Sequence, residues 1–185
     1  MFENFYSLQL LSYMFSNMFD FFLVSCFTQH MIGEKFVLFA PPPQKADKSK
    51  IPVIFWGILY GIIIGLMYGT FPSLLFQTIG FVIFICMIKI LANRCMIETM
   101  VIFGIILFAI FIVQMLVLLT MSVFTSNVMI MRFVGQPTAL LLAFLGCKVV
   151  DAQRIFNFFK SNKIARAILF VLMVLLLIFF TIVEL

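Results

Sequence analysis

The sequence predicts an all-α, polytopic membrane protein: one domain over residues 1–185, built as a bundle of about six transmembrane helices. Three observations predict it. The chain is 65% hydrophobic and only 10% charged, with a mean hydropathy of +1.25, whereas a soluble domain carries about 25% charge. So much apolar surface does not fit inside one small core, and a bilayer must take it up. Turn and charge signals divide the chain into six apolar runs, most of them near the ~20 residues that cross a membrane as a helix. The cations, finally, fall on one side of a six-span topology.

The first run covers 7–31 and stops at Gly33-Glu34-Lys35. Three prolines, Pro41 to Pro43, then open a polar stretch carrying Lys45, Lys48 and Lys50; successive prolines cannot continue a helix, so 33–51 reads as a loop. Pro52 stands where a helix accepts proline, in its first turn, and opens the second run, 52–68. A tight turn at Gly69-Thr70-Phe71-Pro72-Ser73 precedes the third, 74–91, and Asn93-Arg94-Cys95 precedes the fourth, 96–121. From Ser122 to Gln136 the chain is less apolar and reads as a hinge, after which Pro137 opens a short fifth run, 137–150. A second basic loop, 151–163, leads into the sixth run, 164–183.

In the second run, Gly57, Gly61, Gly65 and Gly69 recur four apart. On a helix they form a stripe without side chains, a glycine zipper. In water each would cost about 1 kcal/mol of helix propensity relative to Ala, but in lipid the helix must form to satisfy its own backbone, and the stripe lets a second helix come close and gain dispersion contacts. The sequence therefore predicts this face as the central packing surface, inside the bundle or towards a homo- or hetero-oligomeric partner.

With six spans, Lys35, Lys45, Lys48, Lys50, Lys89, Arg94, Lys148, Arg154, Lys160, Lys163 and Arg166 lie on one side and Arg132 alone on the other, eleven of the twelve cations. Cytoplasmic loops carry such an excess, so 33–51 and 151–163 are expected to be cytoplasmic and both termini outside, in the cell membrane. The net charge of +5 then needs no nucleic acid. Arg154, Lys160, Lys163 and Arg166, interleaved with phenylalanines, are expected in the anionic headgroup layer. Met1-Phe2-Glu3-Asn4 lacks the basic start of a cleaved signal peptide.

Few residues are placed to carry chemistry. Asp20 stands near the middle of the first run, with Tyr13 and Asn17 on the same helical face. An ionisable group at depth costs about 3 kcal/mol on insertion scales and turns towards a partner; alternatively the span begins later and Asp20 sits at the outer interface. Arg132 either pairs with Asp20, receives a ligand carboxylate, or snorkels to phosphates. Gln77 and Gln114 lie within spans, where amides bond across helices for about 1 kcal/mol or touch a ligand. Cys26 and His30, four apart, have the spacing of a thiol–imidazole nucleophile pair, but no third orienting group accompanies them. Cys26, Cys86, Cys95 and Cys147 show no C-x-x-C or zinc spacing, and no P-loop, H-E-x-x-H, G-x-S-x-G, haem or iron–sulfur motif occurs. No catalytic centre, metal or cofactor is expected.

Several turn sequences resemble a known family. Ile-Gly-Glu-Lys-Phe (32–36) ahead of a basic loop, Ile-Pro-Val-Ile-Phe-Trp-Gly (51–57) entering the second span, Phe-Pro-Ser-Leu-Leu-Phe-Gln-Thr (71–78), and Arg-Phe-Val-Gly-Gln-Pro (132–137) ahead of the fifth resemble the N-terminal membrane half of accessory-gene-regulator-type sensor histidine kinases. That resemblance covers most of the chain. It implies a quorum-sensing receptor for secreted peptides, read at the outer face, that takes part in signal transduction. The family continues into a dimerisation helix and an ATP-binding domain, and these 185 residues contain neither, so the resemblance implies no catalysis here. Two readings follow: a sensor module that binds a small hydrophobic peptide through Asp20, Arg132 and the 122–136 hinge, or a structural subunit of a larger membrane complex held by the glycine face. A transporter component is a weaker third, because the halves show no internal repeat.

Overall fold

A computed structural model describes residues 2–36, 38–39, 52–67 and 73–183, with side chains except those of 2–7, 73–78, 128 and 179–183. Every regular element among them is helical: α1 (Phe2–Met31), α2 (Val53–Met67), α3 (Ser73–Ala92), α4 (Met96–Ser122), α5 (Val128–Val149), α6 (Ala152–Ser161) and α7 (Lys163–Val183).

Helix α1 is the element the others pack on. Its C-terminal half is buried without interruption from Phe21 to Gln29. It ends where the sequence expects: Gly33 adopts φ +82°, its N–H donates to the His30 carbonyl, and the Glu34 N–H donates to the Gln29 carbonyl at 2.8 Å. This left-handed cap closes the last turn, and glycine takes it without steric cost.

Helix α2 lies antiparallel along α1. A side chain at Gly57 would strike the Phe22 ring, one at Gly61 would come 2.5 Å from the Met14 carbonyl oxygen, and one at Gly65 would strike the Met14 side chain. Met14, Met18 and Phe22 recur four apart, so their ridge fills the groove left by three glycines four apart. Gly69 lies outside the described residues.

Contacts also order α3, α4, α5 and α7. Ser12 and Ser16 meet Arg132 and Gln136, so α1 and α5 run parallel. Gln114 meets Asp20 and a Cβ at Gly135 would meet Val117, so α4 runs against both. Tyr60 meets Phe84 and Phe81 meets Phe103, which places α3 between α2 and α4. At the start of α7, Leu169 packs over Gly104 near the start of α4. A buried apolar cluster joins the bundle, with Leu23, Ile88, Ile102, Val53 and Val101 almost wholly enclosed.

Three helices, Leu8–Met31, Met96–Ser122 and Met129–Val149, are long and apolar enough to cross a membrane. The bent pair Ala152–Ser161 and Lys163–Ile178 makes a fourth if taken as one broken span, and Val53–Met67 and Ile79–Ala92 are shorter apolar helices. A helix of 15 residues rises about 22 Å, less than the ~30 Å of a bilayer's hydrocarbon core. The all-helical, apolar architecture is thus present, while a count of six spans goes beyond these lengths.

The structure corrects two boundaries. Pro137 does not open the fifth run; it lies inside α5. The helix starts instead at Asn127, whose side-chain oxygen accepts from the N–H groups of Met129 and Ile130 at 3.0 and 3.4 Å. An asparagine cap supplies acceptors for otherwise orphaned donors, and the expected hinge of 122–136 shrinks to the turn 123–127. Nor is 151–163 a plain loop. Asp151 caps α6 by accepting from the Arg154 N–H at 2.9 Å, and Phe156 is buried while Arg154, Asn157, Phe158 and Lys160 are exposed. Asn162 then caps α7, accepting from the N–H groups of Ile164 and Ala165, and the axis turns by 106° between the two helices.

Candidate functional site: a polar seam and two cavities

Polar residues concentrate on the side of α1 that faces α4 and α5. Arg132 donates to the Ser12 hydroxyl at 3.2 Å, and its guanidinium lies 4.0 Å over the Tyr13 ring, a geometry that holds a cation by charge–quadrupole attraction. One turn on, the Gln136 amide nitrogen donates to the Ser16 hydroxyl at 3.0 Å. Both pairs are 120 residues apart in sequence, as two parallel helices in constant register require. The side-chain oxygen of Gln136 is buried without a hydrogen-bond partner.

Asp20 sits one turn further along α1, half-buried, and its Oδ1 accepts from the Gln114 amide at 2.9 Å. This bond stands on the wall between two cavities. The larger, about 470 Å³, opens between α1, α4 and α5 and is lined by Ser16, Asp20, Gln114, Arg132 and Gln136 among Phe111, Met115, Val117, Leu118, Met121, Met131, Gly135 and Ala139. The smaller, about 200 Å³, lies between α1, α3 and α4, where Asp20 and Gln114 face Phe81, Phe84, Phe103 and Ile106. Small-molecule sites combine these features: several hundred Å³, a mostly apolar lining and a few convergent polar groups.

The sequence-predicted residues are therefore partly united. Asp20, Gln114 and Arg132 line one cavity, but among the described residues Asp20 and Arg132 form no direct ion pair. The Asn17 amide donates to the Tyr13 carbonyl within its own helix at 2.8 Å and does not line either cavity. The Gln77 side chain lies outside the described residues. Ser12, Ser16 and Gln136 carry no sequence signal that separates them from ordinary span residues; only the constant offset between α1 and α5 finds them.

At the opposite end, α6 lies across the starts of α4 and α7 and the end of α1. Lys160 Nζ is 2.8 Å from Glu98 Oε1, and Arg94 Nε is 4.0 Å from Glu98 Oε2. A Cβ at Gly33 would be 3.3 Å from the Gln153 side chain. Lys89, at the end of α3, bonds the Arg94 carbonyl, and Lys148, at the end of α5, stands 4.6 Å over the Phe144 ring. Cations from α3, α5, α6 and the 93–95 turn thus gather at one end, and the cavity with Arg132 lies towards the other. Lys160 is engaged with Glu98, Lys163 is exposed in the first turn of α7, and Arg166 is half-buried. Compared with known proteins, the chain matches no family model, no curated protein and no solved structure.

Proposed function

We propose that this chain is a non-enzymatic multi-pass membrane protein that receives a small amphipathic ligand in the cavity between α1, α4 and α5. One observation carries the reading. A cavity of ligand size places a carboxylate, Asp20, and a guanidinium, Arg132, in the same apolar walls without pairing them to each other. A ligand with an amine or amide at one end and a carboxylate or carbonyl at the other would meet both, and a short hydrophobic peptide has that chemistry. This is also the ligand class that the resemblance to accessory-gene-regulator-type sensors implies. The positive-inside rule puts the gathered cations in the cytoplasm and the cavity in the outer half, where a secreted peptide arrives. In this reading α2, though short, and α3 are crossings too, and α7 is the sixth.

A structural subunit is the second reading, and α7 favours it. Beyond Leu169, which packs on Gly104, Val171, Leu172, Val174, Leu175 and Ile178 are all exposed, a broad apolar face for lipid or for another helix. Thermal unfolding of the purified chain in detergent, with and without a panel of short hydrophobic peptides, separates the readings. A peptide that raises the midpoint in the unaltered protein but not in Asp20→Asn supports the receptor. No peptide response, together with loss of assembly in α7 surface variants, sinks it in favour of the subunit.

A further inference from the structure

Past the cavity, the α1–α5 seam continues to Cys26, His30 and Cys147. One ligand atom from each lies within 4.8 Å of the other two. The sequence places Cys26 and His30 on one face of α1, one turn apart; Cys147 joins them because the offset of 120 that pairs Ser12 with Arg132 continues, to 121, along the parallel helices.

We infer that Cys26, His30 and Cys147 form a binding site for a thiophilic divalent metal ion, zinc first among them, that ties the basic ends of α1 and α5 together. Four features support it. The donor set is two thiols and an imidazole, which suits zinc. The spacing fits: tetrahedral bonds of ~2.3 Å to sulfur and ~2.0 Å to nitrogen put ligand atoms ~3.6–3.8 Å apart, about 1 Å closer than the 4.8 Å within which one ligand atom of each residue already lies. The imidazole is preset. His30 Nδ1 lies 2.9 Å from the Cys26 carbonyl oxygen; a carbonyl only accepts, so Nδ1 carries the proton and Nε2 keeps its lone pair, the orientation that metal-bound histidines commonly have. The Phe144 ring stands edge-on to His30 at 6.5 Å and restricts its swing. Charge chooses the valence. On binding, each thiol loses its proton to solvent and forms a sulfur–metal bond, so a divalent ion with two thiolates is neutral overall. Cys26 is fully buried, and burying a net charge there would be costly; a monovalent ion would leave one negative charge. Cys147 and His30 are half-buried, which gives an ion its path and leaves the fourth position to water.

The test uses the full chain in detergent micelles, with the exposed Cys86 and Cys95 changed to serine and cobalt(II) as the spectroscopic stand-in for zinc. Expected are thiolate-to-cobalt charge-transfer bands that saturate at one ion per chain, disappear when zinc is added, and are lost in Cys147→Ser. Zinc should also raise the unfolding midpoint of the parent and not that of Cys147→Ser. The titration of the parent needs no ligand variant, so it decides the matter even if Cys147→Ser folds poorly, and His30→Gln then serves as the second variant. Absence of the bands in the parent overturns the proposal. So do bands that survive Cys147→Ser, or an intact mass showing Cys26 and Cys147 joined as a disulfide in protein that takes up no metal.

Discussion

Asp20 is stabilised by one bond, from Gln114. Leaving a fully buried acceptor without its partner costs about 1–3 kcal/mol; Asp20 is half-buried, so Gln114→Leu should lower stability by less than that. Asp20→Asn/Gln114→Leu should lower it less, because an orphaned neutral amide costs less than an orphaned carboxylate. Chemical or thermal unfolding in detergent measures both, and equal losses would mean that the bond contributes nothing. Arg132 belongs to a separate pair, with Ser12 and Tyr13, and does not touch Asp20. Unliganded, Asp20→Asn and Arg132→Gln should therefore be additive in stability within ~0.5 kcal/mol. For ligand binding the two should be non-additive, since one bound molecule bridges them; additivity in binding as well would refute a shared ligand. The sequence showed Asp20, Gln114 and Arg132 because charges and amides are rare inside apolar runs. It hid Ser12 and Ser16, whose hydroxyls are ordinary there, and it hid Cys147 as a neighbour of Cys26 and His30, because that contact exists only once two helices lie in parallel register.

Among the elements, α2 makes the sharpest claim. At Gly61 a methyl group would meet a carbonyl oxygen of α1 at 2.5 Å, whereas at Gly57 and Gly65 it would meet the side chains of Phe22 and Met14. A side chain can rotate, but the backbone of a packed helix moves only with the helix. Gly61→Ala should accordingly destabilise more than Gly65→Ala, by a margin of about 1 kcal/mol or more, the usual scale of overpacking. Gly80→Ala, with nothing within 4 Å, should be silent. Equal midpoints for Gly61→Ala and Gly80→Ala would remove the close approach from the account. The stripe was legible because period four is unambiguous on a helix. The extent of α5 was not. Pro137 has the sequence signature of a helix start, yet the capping side chain of Asn127 sets the start ten residues earlier, and a packed helix tolerates the interior proline. The helix in 151–163 was hidden for a related reason: its ten residues mix cations and phenylalanines, and only the caps at Asp151 and Asn162 and the burial of Phe156 show which face is which.

For the whole molecule, helix direction bears on the proposed topology. The cation count sorts charges by the expected six-span order. Contacts set the directions of α1, α2, α4 and α5, and the short 93–95 turn sets α3 against α4: α1, α3 and α5 run one way and α2 and α4 the other, with the turns 93–95 and 123–127 at opposite ends of α4. That helix is the most apolar of the long ones, 27 residues with a mean hydropathy of 3.0, and at ~1.5 Å per residue its rise of about 40 Å exceeds the bilayer core. A thiol at each end should therefore be reached from opposite sides. In cells carrying the chain with its other cysteines changed to serine, native Cys95, which is exposed, should react with a membrane-impermeant maleimide only after permeabilisation. With Cys95 also removed, Ser126→Cys should react in intact cells, since Ser126 is exposed in the turn before α5. Labelling of both from outside would mean that α4 does not cross, and the receptor reading would fail with it. Labelling of Cys95 alone would invert the molecule: the Asp20–Arg132 cavity would then face the cytoplasm, where a secreted peptide never arrives, and the subunit reading would be the one left standing.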